Sequence, residues 1–280
     1  MLNKLLSRNS PLVRRILGQV YREGRTYRVP LGPFKGFNLV YRRAINFHAM
    51  LGLWEMDSMA VLAQLLKSPA FPRVSGLVLD VGANIGLYSL WLARHMAPQG
   101  QVISFEPAPE TRSMLTETLA ANAQRNIRIE AQAAADVSGT VDFFVGAHHH
   151  QSSLDADWAA SGGTACKIAV PAIALDDFYA GLGDPRPVQF LKMDIEGGGV
   201  VALRGCRAIF QKQRPFAIIE SHNPAEDGAI SNVLTSHDYV GFRVNSRKWI
   251  SKPAATHPDP EGVWGTMLLV PKEKRDVLQW

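Results

Sequence analysis

Residues 78–93, VLDVGANIGLYSLWLA, read as a buried strand that hands over to a helix through a turn bearing two glycines. GLVLDVG is a short, continuous apolar run ending in turn chemistry, the pattern of a strand covered on both faces. After it, Leu87, Leu90, Trp91 and Ala93 recur at helical spacing. The alternation then continues. GQVISFEPAP is a second strand, cut off by Pro107 and Pro109, and ETRSMLTETLAANAQ is a second helix with acids in its first turns. IRIEAQAAAD makes a third strand. This βαβαβ order predicts a parallel, doubly wound α/β sheet.

Outward from that unit, the pattern pauses at GTVDFFVG and CKIAVPAIALDDF, which read as extra strands around a polar loop. It resumes with the strand VQFLKMDIEG, a helix around VVALRGCRAIFQKQ and the strand RPFAIIE. YVGFRVN and GTMLLVP read as a closing antiparallel hairpin. The expected fold is therefore a Rossmann-like, mostly parallel seven-stranded sheet over residues 75–272, with a β insertion at about 139–178. Residues 1–74 form an N-terminal extension with a basic helix, a short β-like stretch around FKGFNLVYRR and the helix EMDSMAVLAQLLK.

The chain has 280 residues, 46% hydrophobic and 20% charged, enough for a full core and unlike a disordered polymer. No apolar run approaches the roughly 18 residues of a membrane span. Arg14 and Arg15 interrupt the only stretch with the flavour of an export signal. Cys166 and Cys206 are too few for a disulfide framework and suit a reducing, cytoplasmic setting. A net charge of +5 permits an anionic partner without demanding one.

In a doubly wound sheet the ligand sits beyond the carboxyl ends of the strands, where the first strand feeds its helix. Gly82 and Gly86 would let backbone approach a ligand there. A pyrophosphate cofactor asks for G-x-G-x-x-G at this turn. This chain has D-x-G-x-N-x-G, and the negative Asp80 suits a cofactor bearing an ammonium and a sulfonium instead. Asn84 tolerates the unusual backbone angles of such a turn. Glu106, ending the second strand 20 residues after Gly86, is placed to accept two ribose hydroxyls. Asp136, ending the third predicted strand, completes the cofactor candidates.

These residues resemble the FkbM-type S-adenosylmethionine-dependent methyltransferases of the class I fold. The resemblance is carried by VLDVGANIGLYSL, VISFEPAP, LKMDIEGG with the following LRG, and IIE, together with the lead-in GLWEMDSMAVL and the middle segments SSL and ALDDF. It covers about residues 50–270. One departure is the pair Gly198 and Gly199 where the family often carries an acid, which puts any role of that acid in doubt here. The resemblance implies S-adenosylmethionine as cofactor and O-methylation of a hydroxyl on a small molecule, sugar or glycan.

Methyl transfer from a sulfonium requires the acceptor oxygen to be held against the methyl and its proton to be removed. Strand alternation is expected to put Lys192, Asp194 and Glu196 on one face beside the cofactor strand. Asp194 is the first candidate, either for the methionyl ammonium or for the acceptor hydroxyl. Lys192 is open to two readings, a catalytic group or the buried ion partner of Asp194. Glu220 and His222 follow the fifth strand at the same edge, where His222 would take a proton near neutral pH. The adjacent His148, His149 and His150 point in different directions and suggest no metal site. Glu55 has two roles open to it, capping a helix or covering the cofactor. The loop of Gln151, Ser152 and Ser153 is expected over the cofactor end of the sheet. Two other functions stand beside the favoured one: an RNA ribose methyltransferase and a non-catalytic cofactor-binding protein. No strip of interleaved basic and aromatic residues supports a nucleic-acid partner.

Overall fold

The computed structural model describes residues 20–69, 71, 74–146, 152–160, 163–250 and 265–277. The basic N-terminal helix expected within residues 1–19, and His148, His149, His150 and Gln151, lie outside the described residues. Strands β1 (Thr26–Arg28) and β2 (Asn38–Val40) pair with each other ahead of helices α1 (Phe47–Leu51) and α2 (Met56–Lys67). The first alternating run is β3 (Leu77–Val81), α3 (Leu87–Trp91), β4 (Gln101–Phe105), α4 (Pro109–Ala121) and β5 (Ile127–Glu130). An excursion follows, with β6 (Ala133–Ala135), β7 (Gly139–Val145), α5 (Ala156–Ala160), β8 (Cys166–Ala174) and α6 (Leu175–Gly181). The second run is β9 (Val188–Met193), α7 (Gly199–Arg204), β10 (Phe216–Ser221), α8 (Pro224–Ser236) and β11 (Tyr239–Arg243). Strands β12 (Lys248–Ile250) and β13 (Gly265–Pro271) close the chain.

Eight described strands form the main sheet, in the order β12-β11-β13-β10-β9-β3-β4-β5. Pairing is parallel from β10 to β5 and antiparallel from β10 outward through β13, β11 and β12. The expectation of seven strands is corrected. Trp249 on β12 packs edge-on against Phe242 with ring centroids 5.3 Å apart, which adds an eighth strand at the far edge. YVGFRVN and GTMLLVP are antiparallel neighbours, as expected, with the short β12 between them in the chain, and β13 lies between β10 and β11 in the sheet.

Two further boundaries move. The third predicted strand breaks after Glu130, and β6 pairs with β8 in a separate sheet of order β6-β8-β7. ALDDF is not strand: β8 ends at Ala174, and Asp176 in α6 accepts the N–H groups of Ala208 and Ile209 at 2.8 and 2.9 Å. That pair of bonds satisfies donors at the start of the next helical turn, which an extended chain would leave unmet.

Two apolar clusters sandwich the main sheet. Leu77, Leu79 and Val81 of β3 pack with residues of α7 and α8, such as Ala202 and Leu234. Val78 faces the other way, into a cluster shared with Leu62 and Leu65 of α2 and Phe34, Phe37 and Leu39 of the N-terminal extension. The extension thus buries one face of the sheet. Residues 47–67 are apolar and long enough, by length and composition, for a membrane-spanning helix. Gly52 (φ 81°) and Glu55 (φ 42°) divide that segment into α1 and α2, whose Met50, Leu62 and Leu65 are core residues.

Candidate active site

The site lies beyond the carboxyl ends of β3, β4, β9 and β10. Its turn after β3 is tight because the chain is short of room. A Cβ on Gly82 would collide with the carbonyl of Asp194, and Gly82 sits at φ 79°. At Gly86 (φ 87°) a Cβ would run into the side chain of Leu115. Both glycines therefore serve close internal packing as well as a positive φ. Asn84 takes the left-handed conformation at φ 51°.

A cleft of about 600 Å³ opens beside this turn. Gly82, Asn84, Glu106, Asp194 and Glu196 line it, with Phe105, Pro107 and Phe143 as apolar walls. Ser152 and Leu154 also reach it, so the described part of the expected specificity loop borders the cleft. Glu106 Oε2 accepts the Asn84 N–H at 2.9 Å, and Oε1 accepts the Ala108 N–H at 3.0 Å. Burial raises the Glu106 pKa to about 7, against the opposing pull of those two N–H groups and of Lys192 and Arg112.

A second cleft, of about 500 Å³, shares Asn84, Asp194 and Glu196 with the first. Its other walls include Asn46, Trp54 and Glu55 from the N-terminal extension, Tyr88 from α3 and Lys192 from β9. Glu55 makes no cap for α2. Its carboxylate instead accepts the Trp54 indole N–H at 2.7 Å and the Tyr88 hydroxyl at 2.6 Å. Burial and the nearby Asp194 raise its pKa.

Lys192 stands between the clefts and the core. Its Nζ donates to the Gly82 carbonyl at 2.7 Å and lies 3.5 Å from Asp80 and 3.9 Å from Asp194. Burial opposes its charge, but Asp80, Asp194, Glu55 and Glu220 outweigh that and raise its pKa. It is held as a cation.

His222 follows β10, beside the end of β9. Its Nε2 lies 3.5 Å from Asp194 Oδ1, 3.4 Å from Glu196 Oε2 and 3.7 Å from Glu220 Oε1. On the other side of the ring, Nδ1 is 3.2 Å from Glu226 Oε2. Burial works against the imidazolium, but the Glu226 hydrogen bond and the three carboxylates raise its pKa to about 10. These surroundings favour the protonated ring near neutral pH. Glu220 is pushed well above the usual carboxylate range, first by burial and then by Asp194 and Glu55.

Of the sequence candidates, Gly82, Asn84, Glu106 and Asp194 meet in the first cleft, and Lys192, Glu220 and His222 gather around Asp194. Asp80 lines neither of these clefts. Strand alternation turns it onto the α3 face, where it is wholly buried and accepts the Ser89 hydroxyl at 2.6 Å. Gly86 packs behind the cleft, against Leu115. Asp136 follows β6, outside the main sheet, and its carboxylate pairs with Arg204 at 3.9 Å. Strand alternation does not extend to Glu196, since β9 ends at Met193 and Glu196 sits in a turn at φ 51°.

Tyr88, Gln132 and Glu226 escaped the sequence reading. Glu226 stands three residues after Asn223, the spacing of a helix start. Asn223 does accept the Glu226 N–H, but the Glu226 carboxylate turns away to the His222 and Gly199 N–H groups.

The first cleft fits S-adenosylmethionine by its donor set. Each Glu106 oxygen takes one backbone N–H and keeps a lone pair for a ribose hydroxyl. Asp194 Oδ1 is buried and accepts no hydrogen bond, a vacancy that an ammonium or hydroxyl donor would fill.

A family model described as the methyltransferase FkbM domain matches residues 80–244. A stretch of 45 residues is 47% identical to the methyltransferase sdnD of Sordaria araneosa, covering 16% of this chain and 17% of that protein. Among solved structures, the methyltransferase FkbM of Methylobacillus flagellatus is similar at 21% identity and a TM-score of 0.42, over 58% of this chain and 38% of that one. Aeropyrum pernix fibrillarin, solved with S-adenosyl-L-methionine, is similar at 14% identity and a TM-score of 0.42, over 75% of this chain and 73% of that one. This chain thus spans well under half the length of the first two.

Proposed function

The chain belongs to the FkbM methyltransferase family, and from that premise we propose that it O-methylates a hydroxyl on a small molecule, sugar or glycan. The family is S-adenosylmethionine-dependent. That cofactor, when bound, supplies a methyl group on a positively charged sulfur. With it bound, the acceptor oxygen would bond to the methyl carbon as the carbon–sulfur bond broke with its electron pair on sulfur, and a carboxylate of this chain would take the hydroxyl proton.

The observation that carries this reading is that the two clefts meet at Asp194. Glu106 would hold the ribose in the first cleft, and the second cleft would hold the acceptor. Asp194 is the group best placed to orient the acceptor hydroxyl and take its proton. Lys192 and His222 are both held as cations, and the Glu55 carboxylate already binds Trp54 and Tyr88. The second cleft combines the Trp54 ring with Glu55, Asp194 and Glu196, a pairing suited to sugar faces and hydroxyls. Those acids would repel a phosphate backbone, which disfavours RNA. In this reading the N-terminal extension completes the acceptor site. Cys166 and Cys206 are free thiols, as a reducing cytoplasm would keep them.

The test is to supply S-adenosylmethionine with a labelled methyl group to separated small-molecule, glycan and RNA fractions. Label is expected as an alkali-stable methyl ether in the small-molecule or glycan fraction. Label confined to RNA, or carried on nitrogen or carbon, would overturn the reading.

A further inference from the structure

The cluster around His222 has the composition and orientation of a cation site as well as that of a charge clamp. Asp194 and His222 follow adjacent parallel strands, β9 and β10, and Glu220 closes toward them from β10. One ligand atom from each of the three lies within 4.8 Å of the others. Around His222 Nε2, the carboxylate oxygens of Asp194, Glu196 and Glu220 stand at 3.4 to 3.7 Å. Ligand atoms about 2.1 Å from one ion are separated by roughly 3.0 to 3.5 Å, so small side-chain shifts would bring these to coordination distance.

The ring is also oriented as metal-binding imidazoles are. Nδ1 faces Glu226 Oε2, and the same oxygen accepts the His222 backbone N–H at 2.7 Å. Glu226 is itself fixed: it is buried, and its second oxygen accepts the Gly199 N–H at 2.8 Å. A Cβ on Gly199 would lie 2.8 Å from that oxygen, so the glycine makes room for the arrangement. A carboxylate behind a histidine sets its tautomer and aims the other nitrogen at an ion. A second sign is Asp194 Oδ1, an atom buried in the cluster that accepts no hydrogen bond, with His222 Nε2 facing it at 3.5 Å. Several carboxylates gathered on one imidazole nitrogen favour positive charge at that point.

We propose that Asp194, Glu220 and His222 bind a divalent cation where the two clefts meet, with Glu196 within reach as a fourth ligand; the cation takes the place of the proton that His222 Nε2 carries without it, and that proton is released to solvent. One imidazole nitrogen with two or three carboxylate oxygens suits Mn2+ or Zn2+ better than Mg2+, which favours oxygen and water. At that position the cation would hold the acceptor oxygen and favour its deprotonation. That use rests on the methyl transfer proposed above. The binding does not, and it is tested without cofactor or acceptor.

The full-length protein, stripped with a chelator, is titrated with Mn2+ followed by electron paramagnetic resonance, and with Zn2+ by calorimetry. About one ion per chain is expected. Asp194→Asn, Glu220→Gln and His222→Gln should each weaken binding at least tenfold, while Glu106→Gln, in the first cleft, binds as the parent does. Circular dichroism identifies any variant that fails to fold, and the half-exposed Glu220 position then carries the comparison. No stoichiometric binding of either ion would overturn the proposal, and so would binding that all three substitutions leave unchanged. Methyl transfer that fails in a protein that still binds Mn2+ would count against the function above and leave the cation site standing.

Discussion

Lys192 Nζ donates to the carbonyl oxygen of Gly82 at 2.7 Å, so a side chain on β9 secures the turn that follows β3. The same ammonium lies 3.5 Å from the wholly buried Asp80. The D-x-G-x-N-x-G turn is thus braced from beneath by a buried ion pair, and the first cleft inherits its shape from that pair.

Lys192→Met should destabilise the protein by about 3–5 kcal/mol, because it leaves Asp80 charged, buried and short of a partner. Adding Asp80→Asn should recover part of that loss. Urea unfolding of the two single variants and the double variant measures the coupling.

Glu106 should make cofactor binding depend on pH. Its pKa is about 7 in the folded protein, and the ionised form is the better acceptor for ribose hydroxyls. The affinity for S-adenosylhomocysteine is expected to strengthen as pH rises through about 7. In Glu106→Gln it should be weaker and nearly flat over that range. Calorimetry at several pH values checks both.

His222 should make stability depend on pH in the opposite sense. Its folded value, about 10, lies above the ordinary value of 6.5. The bound proton therefore stabilises the fold fully below pH 6.5, and this contribution is lost as pH rises through about 10. Urea unfolding in the presence of chelator should show the parent losing more stability across that window than His222→Gln does.

Asp194→Asn should fold and should lower kcat by about a hundredfold or more, the scale of a positioned acid–base group. If the carboxylate serves the acceptor, the affinity for S-adenosylhomocysteine survives; if it serves the ammonium, affinity falls as well. Steady-state kinetics with calorimetry separates the two roles. Full activity would move the assignment to Glu55 or Glu220.

Much of the frame was legible from local pattern. Leu77 to Val81 is apolar except for Asp80 because both faces of β3 are covered, and such a run announces itself without tertiary knowledge. Pro109 and Pro224 stand in the first turns of α4 and α8, where a missing N–H costs little. That Glu106 and Asp194 would stand together at the carboxyl edge of the sheet was legible because each follows a strand of the parallel run. The eighth strand was not, since three residues at Lys248–Ile250 carry no periodicity of their own. The direction of the Asp80 side chain was not legible either, because it depends on which helix covers that face of the sheet.

By itself, then, the sequence determined the order of strands and helices, the two glycine turns and the carboxylates at the strand ends. These are consequences of apolar periodicity and backbone preference, which act over a few neighbouring residues. Only the tertiary structure decided that Trp54 and Glu55 of the N-terminal extension join Tyr88 of α3, and that His222 meets Asp194, Glu196 and Glu220. Which charges share one desolvated volume, and so which groups keep or lose a proton, depends on contacts between residues far apart in the chain.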